Sequence, residues 1–121
     1  MPNETILVVD DSPTAQKLVA AALTLMGFRV ITAADGDEAI AKAAKEQPSL
    51  VVLDVVMPKK NGFQVCRHLK STAATRGIKV LLLTSKNQDS DRFWGLKQGA
   101  DAYLTKPFND ADLIAHIAKL I

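Results

Sequence analysis

The 121-residue chain has little cysteine, few aromatic residues and no long apolar run. Its single cysteine, Cys66, excludes an intrachain disulfide and any multi-cysteine zinc or iron-sulfur site, and it fits a reducing cytoplasm. The first apolar stretch, Ile6 to Val9, stops at two aspartates, and no basic segment precedes it. We therefore expect neither an export signal nor a membrane span, and a cytoplasmic location.

The charge balance also excludes some partners. Net charge is only +2, which gives no reason to expect direct binding to nucleic acid. Residues 1–54 hold 4 basic and 8 acidic side chains, whereas residues 55–121 hold 11 and 5. This asymmetry is either chance on a solvated surface or a cation site built by the first half. With 48% hydrophobic and 23% charged residues, we expect one globular domain over residues 1–121, without an output domain.

Apolar runs alternate with helical patterns along the whole chain. Residues 5–9 predict a buried strand, and Ser12-Pro13 begins a helix with a predicted inner face of Leu18, Ala22, Leu25 and Met26. Further strands are predicted over residues 29–33, 50–53, 78–83 and 102–105, and further helices over 37–47, 62–70, 89–98 and 110–121. Five such (βα) units predict an α/β fold, a doubly wound parallel sheet with helices on both faces.

Polar side chains follow four of the predicted strands. They are Asp10 with Asp11, Asp54, Thr84 and Lys106. Ligands of open parallel sheets bind at the carboxyl ends of the strands, so these groups are candidates for one site. Three crowded carboxylates require proton sharing, a nearby cation or a bound metal, and an all-oxygen site suits Mg²⁺ or Mn²⁺. Such a metal with a lysine and a hydroxyl indicates phosphoryl chemistry.

Motifs along essentially the whole chain resemble the receiver domains of response regulators, of the chemotaxis type. The resemblance is carried, in order, by Val8-Val9-Asp10-Asp11-Ser12, Leu53-Asp54-Val55-Val56-Met57-Pro58 with Gly62, Leu83-Thr84-Ser85, Gly99-Ala100 and Tyr103-Leu104-Thr105-Lys106-Pro107-Phe108. It implies a flavodoxin-like five-stranded sheet of order 2-1-3-4-5 and a signalling role rather than a metabolic enzyme. The segment from Trp94 to Pro107 is also similar to the twitching-motility regulators of type IV pilus systems.

The resemblance implies specific roles at the strand ends. Asp54 is expected to accept a phosphoryl group from a sensor histidine kinase or a phosphotransfer protein. Asp10 and Asp11 are expected to hold Mg²⁺ together with Asp54 and the backbone carbonyl of Val56. Lys106 is expected to pair with Asp54 and then with the phosphoryl oxygens.

The resemblance also implies a switch. The Thr84 hydroxyl is expected to move toward the phosphoryl group, Tyr103 to turn inward behind it, and the Lys106-Pro107 peptide bond to be cis. Val56 and Lys86 lie two positions after Asp54 and Thr84, beside the route of an attacking water. We hypothesise that apolar Val56 cannot orient this water and that Lys86 shields the phosphate, so that the phosphorylated form is moderately long-lived.

The fourth predicted helix has more large apolar side chains than one inner face can hide. Either it is a core helix with Phe93 buried and Trp94 half over it, or part of it is a partner surface. By the resemblance, the surface of helix four, strand five and helix five reports phosphorylation to a protein target. The candidate surface residues are Trp94, Leu96, Lys97 and Tyr103.

Several alternatives are weaker. An aspartyl-phosphate phosphatase of the haloacid-dehalogenase type requires a second aspartate where Val56 stands, and no phosphate-binding glycine loop follows the first strand, which disfavours a nucleotide or flavin binder. A non-phosphorylated pseudo-receiver and the truncated input domain of a larger regulator stay open. A monomer and a phosphorylation-dependent dimer are both compatible with the pattern.

Overall fold

The computed structural model describes residues 4–86 and 88–121, in which five parallel strands alternate with five helices. The strands are β1 (Thr5–Val9), β2 (Arg29–Ala33), β3 (Leu50–Asp54), β4 (Lys79–Thr84) and β5 (Ala102–Thr105). The helices are α1 (Pro13–Leu25), α2 (Gly36–Glu46), α3 (Gly62–Ser71), α4 (Asp89–Lys97) and α5 (Asp110–Leu120). The sheet order is β2-β1-β3-β4-β5, which confirms the predicted doubly wound fold. Within the described ranges, no helix combines the length and apolar character needed to cross a bilayer.

The central strands are apolar on both faces because each face packs on helices. Successive side chains of a strand point to opposite faces. Leu7 and Val9 accordingly lie in the hydrophobic cluster that contains the inner residues of α2 and α3. Ile6 and Val8 lie in the cluster that contains the inner residues of α1 and α5. Two cores therefore hold the sheet and leave its carboxyl edge open for polar groups.

The inner face of α1 differs from the prediction. Val19 and Leu23 are buried along with Ala22, whereas three of the predicted inward residues are exposed, at fractions of 69% for Leu18, 87% for Leu25 and 49% for Met26. Apolar residues occur on every side of this helix, so their spacing alone does not select one face. The position of α1 on the sheet selects it, and an apolar stripe is left outside.

Candidate functional site

The strand register brings the predicted polar residues to one edge of the sheet. Val9 pairs with Leu53, so that Asp10 and Asp54 follow at neighbouring positions of β1 and β3. Asp54 itself pairs with Leu83 of β4, and the next residue of that strand is Thr84. Because all strands run parallel, their carboxyl ends meet, and the site is a direct consequence of the strand order.

Three carboxylates form the centre of the site. Asp10, Asp11 and Asp54 each offer one oxygen, and these oxygens all lie within 4.8 Å of one another. Asp10 is only 6% exposed and Asp54 only 8%, while Asp11 is exposed. The Nζ atom of Lys106 lies 3.4 Å from Oδ2 of Asp10. Among the residues that the structure describes, Lys106 is the one basic group within ion-pairing distance of this cluster, and the excess of negative charge suits a divalent cation with oxygen ligands.

The electrostatics of the cluster change the pKa of Asp54. Burial raises this pKa above its ordinary value, and the neighbouring Asp10 and Asp11 raise it further. Lys106 and the hydrogen bond from the backbone N-H of Val56 act in the opposite direction. The balance is a raised pKa, which means that the folded chain holds this carboxylate in an unfavourable environment.

The lysine contact differs from the expectation. In the described part of the chain, the carboxylate within ion-pairing distance of Lys106 is that of Asp10, not that of Asp54. The loop after β5 lies beside α1, since Lys106, Phe108 and Leu18 line one groove. Lys106 still lowers the pKa of Asp54 through space, so its charge acts on both carboxylates.

The loop between β3 and α3 closes tightly around the Asp54 backbone. The N-H of Gly62 donates to the carbonyl of Val55 over 2.9 Å. A Cβ at position 62 would lie 2.4 Å from the Asp54 carbonyl oxygen and 2.7 Å from Cα of Val55, so only glycine fits. Val55 and Met57 are buried, whereas the Val56 side chain between them is 53% exposed. The loop therefore presents an apolar side chain to solvent two residues after Asp54.

One residue that supports the site was not predicted from the sequence. Nε2 of Gln16 on α1 donates to the carbonyl of Asp10 over 3.3 Å and to that of Ala33 over 3.0 Å. It joins the ends of β1 and β2 to the first helix. Nothing in a single sequence separates such a glutamine from an exposed one, because its partners are backbone atoms distant along the chain.

Thr84 is fully buried at the end of β4. Its hydroxyl oxygen accepts the backbone N-H of Lys86 over 3.3 Å, and its carbonyl accepts the N-H of Lys106 over 2.7 Å. The Lys106-Pro107 peptide bond is cis, as expected. Thr84 thus joins the β4 end to the lysine loop, next to the carboxylates.

Tyr103 lies inward and is 4% exposed, so it is not itself a surface residue. Its hydroxyl donates to the carbonyl of Lys86 over 2.8 Å, and burial raises the pKa of the phenol. The other predicted surface residues lie on α4, where Trp94 is 52% exposed, Leu96 49%, and Lys97 is also exposed. Phe93, which the core-helix alternative expects to be buried, is 62% exposed. The interpretation of α4 as a core helix around Phe93 is therefore wrong.

A groove runs beside the carboxylate cluster, between α1 and the loop after β5. It has a volume of about 600 Å³, and its walls include Leu18, Leu25, Lys106, Pro107 and Phe108. The apolar residues of α1 that lie outside the core form one wall. The other wall ends at the lysine that contacts Asp10. The groove therefore connects an apolar surface with the polar site.

Comparison with known proteins shows which family and which solved structures the chain resembles. Residues 6–118 match the family model described as the response regulator receiver domain. Over 112 residues the chain is 44% identical to protein PilH of Pseudomonas aeruginosa, covering 93% of each chain. Its structure is similar to chemotaxis protein CheY4 of Vibrio cholerae, with a TM-score of 0.93, 32% identity and coverage of 98% and 99% of the two chains.

Another similar structure is the receiver domain of a Pseudomonas aeruginosa sensor histidine kinase, which was solved with a magnesium ion in its active site cleft. The TM-score is 0.90, the identity 29%, and the coverage 98% of this chain and 97% of that one. Other curated relatives are longer: the chain spans about half the length of the transcriptional regulators that it matches.

Proposed function

Since the chain belongs to the response regulator receiver domain family, and is thus a signalling domain rather than a metabolic enzyme, we propose that it switches by phosphorylation of Asp54. The observation that carries this proposal is the cluster of Asp10, Asp11 and Asp54, whose oxygens lie within 4.8 Å of one another beside Lys106. The donor is a sensor histidine kinase or a phosphotransfer protein, and the phosphorylated form acts on a protein target.

In the proposed reaction, a carboxylate oxygen of Asp54 attacks the phosphorus of a phosphohistidine in line. The new O-P bond makes an acyl phosphate, the P-N bond breaks, and its electron pair goes to the imidazole nitrogen. Phosphoryl transfer depends on positioning and on neutralising the phosphoryl oxygens. Lys106 supplies a positive charge. The Thr84 hydroxyl lies near the acceptor because Thr84 directly follows Leu83, the residue of β4 that pairs with Asp54.

The carboxylates fit a divalent metal, Mg²⁺ or Mn²⁺, because three acidic groups face a single lysine. Asp10, Asp11 and Asp54 would hold it, with the backbone carbonyl of Val56. When bound, the metal neutralises negative charge on the acceptor and on the incoming phosphoryl group. Without it, burial and then the charges of Asp10 and Asp11 raise the pKa of Asp54, and these same charges oppose the approach of a phosphoryl anion.

We assign the donor side to the groove along α1. The donor must bring a phosphorylated histidine to Asp54, and the groove begins at Lys106 in the same site. Its exposed Leu18 and Leu25 suit the apolar face of a partner helix, which would bury them on docking. The kinase or phosphotransfer protein is therefore the proposed occupant.

The output side is the proposed surface of α4, with Trp94, Leu96 and Lys97 exposed and Tyr103 buried behind them. Phosphorylation would draw the Thr84 hydroxyl toward the phosphoryl oxygens and so change the contacts of the neighbouring Tyr103. Population shift between two arrangements of this region would change the affinity for the target. The similarity to PilH and CheY4 supports a role in pilus motility or chemotaxis.

We also propose that the chain acts as a stand-alone domain in the cytoplasm, as a monomer or as a phosphorylation-dependent dimer. It contacts neither nucleic acid nor membrane in this proposal. The half-length match to transcriptional regulators supports the alternative, an input domain of a larger regulator.

The test is intact-mass spectrometry after incubation with acetyl phosphate, with and without Mg²⁺. We expect one metal-dependent phosphoryl adduct on the wild type and none on Asp54→Asn. The matched control is Asp89→Asn, which removes an exposed aspartate from the first turn of α4 and should label like the wild type. Absence of an adduct, where a known receiver domain labels, would support the pseudo-receiver alternative.

A further inference from the structure

The helix α4 is held to the sheet in an unusual way. Its buried residue is a glycine, Gly95, while the large side chains Phe93, Trp94 and Leu96 are all about half exposed or more. These side chains bury only part of their apolar area, so the close contacts of the α4 backbone contribute to keeping the helix in place. Those contacts are made at Gly95, to Tyr103 of β5 and Leu82 of β4.

Gly95 brings the α4 backbone against the Tyr103 ring. A Cβ at position 95 would lie 2.9 Å from Cδ2 of Tyr103 and 2.9 Å from Cδ1 of Leu82. Both distances are shorter than real Cβ contacts, so alanine would displace the ring or the helix. The missing side chain thus makes the space in which the inward ring lies.

Arg92, three residues before Gly95 on α4, covers the same ring. Its guanidinium carbon lies 5.2 Å from the ring centroid, and its Nη1 donates to the Tyr103 carbonyl over 3.1 Å. Since β5 is an edge strand, this carbonyl would otherwise have solvent as its partner. The Tyr103 hydroxyl meanwhile donates to the Lys86 carbonyl over 2.8 Å. Ring, carbonyl and hydroxyl are each engaged by a residue of α4 or of the segment before it.

We infer that Arg92 and Gly95 are positioning residues that hold Tyr103 inward. The guanidinium over the ring favours the inward position and loses this contact when the ring leaves, while its hydrogen bond to the Tyr103 backbone carbonyl keeps it in place beside the ring. That a displacement of Tyr103 alters the surface of Trp94 and Leu96 rests on the proposed function. That Arg92 holds the ring does not.

Tyr103 is the only tyrosine of the chain, which makes the test direct. Incorporation of 3-fluorotyrosine gives a single ¹⁹F resonance that reports the environment of this ring. We expect Arg92→Ala to lower the ratio of inward to outward ring about fivefold, which corresponds to about 1 kcal/mol, and to shift the resonance toward its position in the urea-unfolded chain. Arg92→Lys, which keeps a cation over the ring, should restore part of the shift.

The matched control is Arg67→Ala, which removes an exposed arginine from α3 and should leave the resonance unchanged. Gly95→Ala should displace the resonance by steric contact and change the emission of Trp94, the only tryptophan. If the resonances of Arg92→Ala and Gly95→Ala coincide with that of the wild type, the inference is overturned. If Gly95→Ala does not fold, Arg92→Ala alone decides, because Arg92 is exposed.

The two proposals can fail separately. The resonances are compared first in Mg²⁺ alone and then with beryllofluoride, a phosphoryl analogue. If beryllofluoride leaves the wild-type resonance unchanged while Arg92→Ala still shifts it, the proposed function is contradicted and the role of Arg92 stands. If beryllofluoride shifts the wild-type resonance and Arg92→Ala gives the same resonances as the wild type in both states, the proposed function stands and the role of Arg92 is contradicted.

Discussion

Replacement of Asp54 by asparagine is expected to stabilise the folded chain at pH 7, although it removes the proposed acceptor. Asp54 is 8% exposed, and its carboxylate has oxygens of Asp10 and Asp11 within 4.8 Å. Asparagine has nearly the same shape but no charge. The substitution therefore removes repulsion and a desolvation cost while it preserves the packing of the site.

The size of the effect can be worked from these distances. Two unit charges at 4.8 Å interact by about 3.5 kcal/mol at an effective dielectric constant of about 20. Asp54→Asn removes the repulsion from Asp10, the repulsion from the exposed Asp11, which solvent screens to roughly half, and an attraction to Lys106 of about the size of the Asp10 repulsion. We expect a net gain on the order of 2 kcal/mol, which corresponds to a rise in Tm of roughly 5 to 10 °C for a domain of this size.

The pH dependence has a definite sign. Because the pKa of Asp54 is raised in the folded chain, the wild type is favoured by this group at low pH and loses that stability as pH rises through the folded pKa. Asparagine does not titrate. The advantage of the variant should thus be largest at neutral pH and should disappear at about pH 3, where the carboxyl is protonated in both states.

The assay is urea unfolding followed by far-UV circular dichroism at both pH values, with Asp89→Asn as an exposed control. Mg²⁺ at about ten times its Kd should add about 1.4 kcal/mol to the wild type and less to Asp54→Asn, which lacks one ligand. A variant that is no more stable than the wild type at pH 7, or equally more stable at both pH values, would refute the electrostatic reasoning.

Three further predictions concern other parts of the chain. Gly62→Ala should destabilise the fold by about 3 kcal/mol or more in urea unfolding, because its Cβ would lie 2.7 Å from Cα of Val55. Cys66 is fully buried, and burial raises the pKa of its thiol to about 12, so a thiol reagent should label it only when urea unfolds the chain. Val56→Asn should speed the loss of an incorporated phosphoryl group severalfold, measured by intact mass over time, because an amide can orient the attacking water.

Each of these predictions has an internal control. Gly77→Ala places a Cβ with no neighbour within 4 Å and should change stability by less than about 0.5 kcal/mol; equal effects at both glycines would contradict the close-approach argument. Rapid labelling of Cys66 in the native chain would show that α3 opens readily. Val56→Ala keeps the position apolar, so it should dephosphorylate like the wild type, and an unchanged rate in Val56→Asn would count against the water-orienting hypothesis.

The strands could be predicted because their physical cause is local. Buried parallel strands require short β-branched or leucine-rich runs. The predicted residues 50–53 differ from β3 by one residue at one end, and 78–83 differ from β4 by one residue at each end. From the sequence, Gly62 could be identified as part of the motif after Asp54. The physical reason for a glycine there, contact with the Asp54 backbone, required the folded loop.

The helix faces were less predictable. On α1, the spacing of Leu18 and Leu25 suits an inner face as well as that of Val19 and Leu23 does. Only Val19 and Leu23 are buried, because their side of the helix packs on the sheet. On α4 the large apolar side chains point outward because glycine, not a bulky residue, contacts β5. A periodicity argument assumes that apolar residues are buried, and it fails where a helix carries more of them than its contact surface can cover.

The sequence by itself determined the order of the elements, the fold class and the identity of the polar groups at the strand ends, because these depend on local composition and on the geometry of parallel strands. Only the tertiary structure decided which of these groups meet. Lys106 contacts Asp10 rather than Asp54, and Arg92 covers Tyr103. Neither contact follows from local sequence, because each joins residues that are distant in sequence or lie on different elements. Such contacts depend on how loops and helices settle on the sheet, and no local pattern encodes that placement.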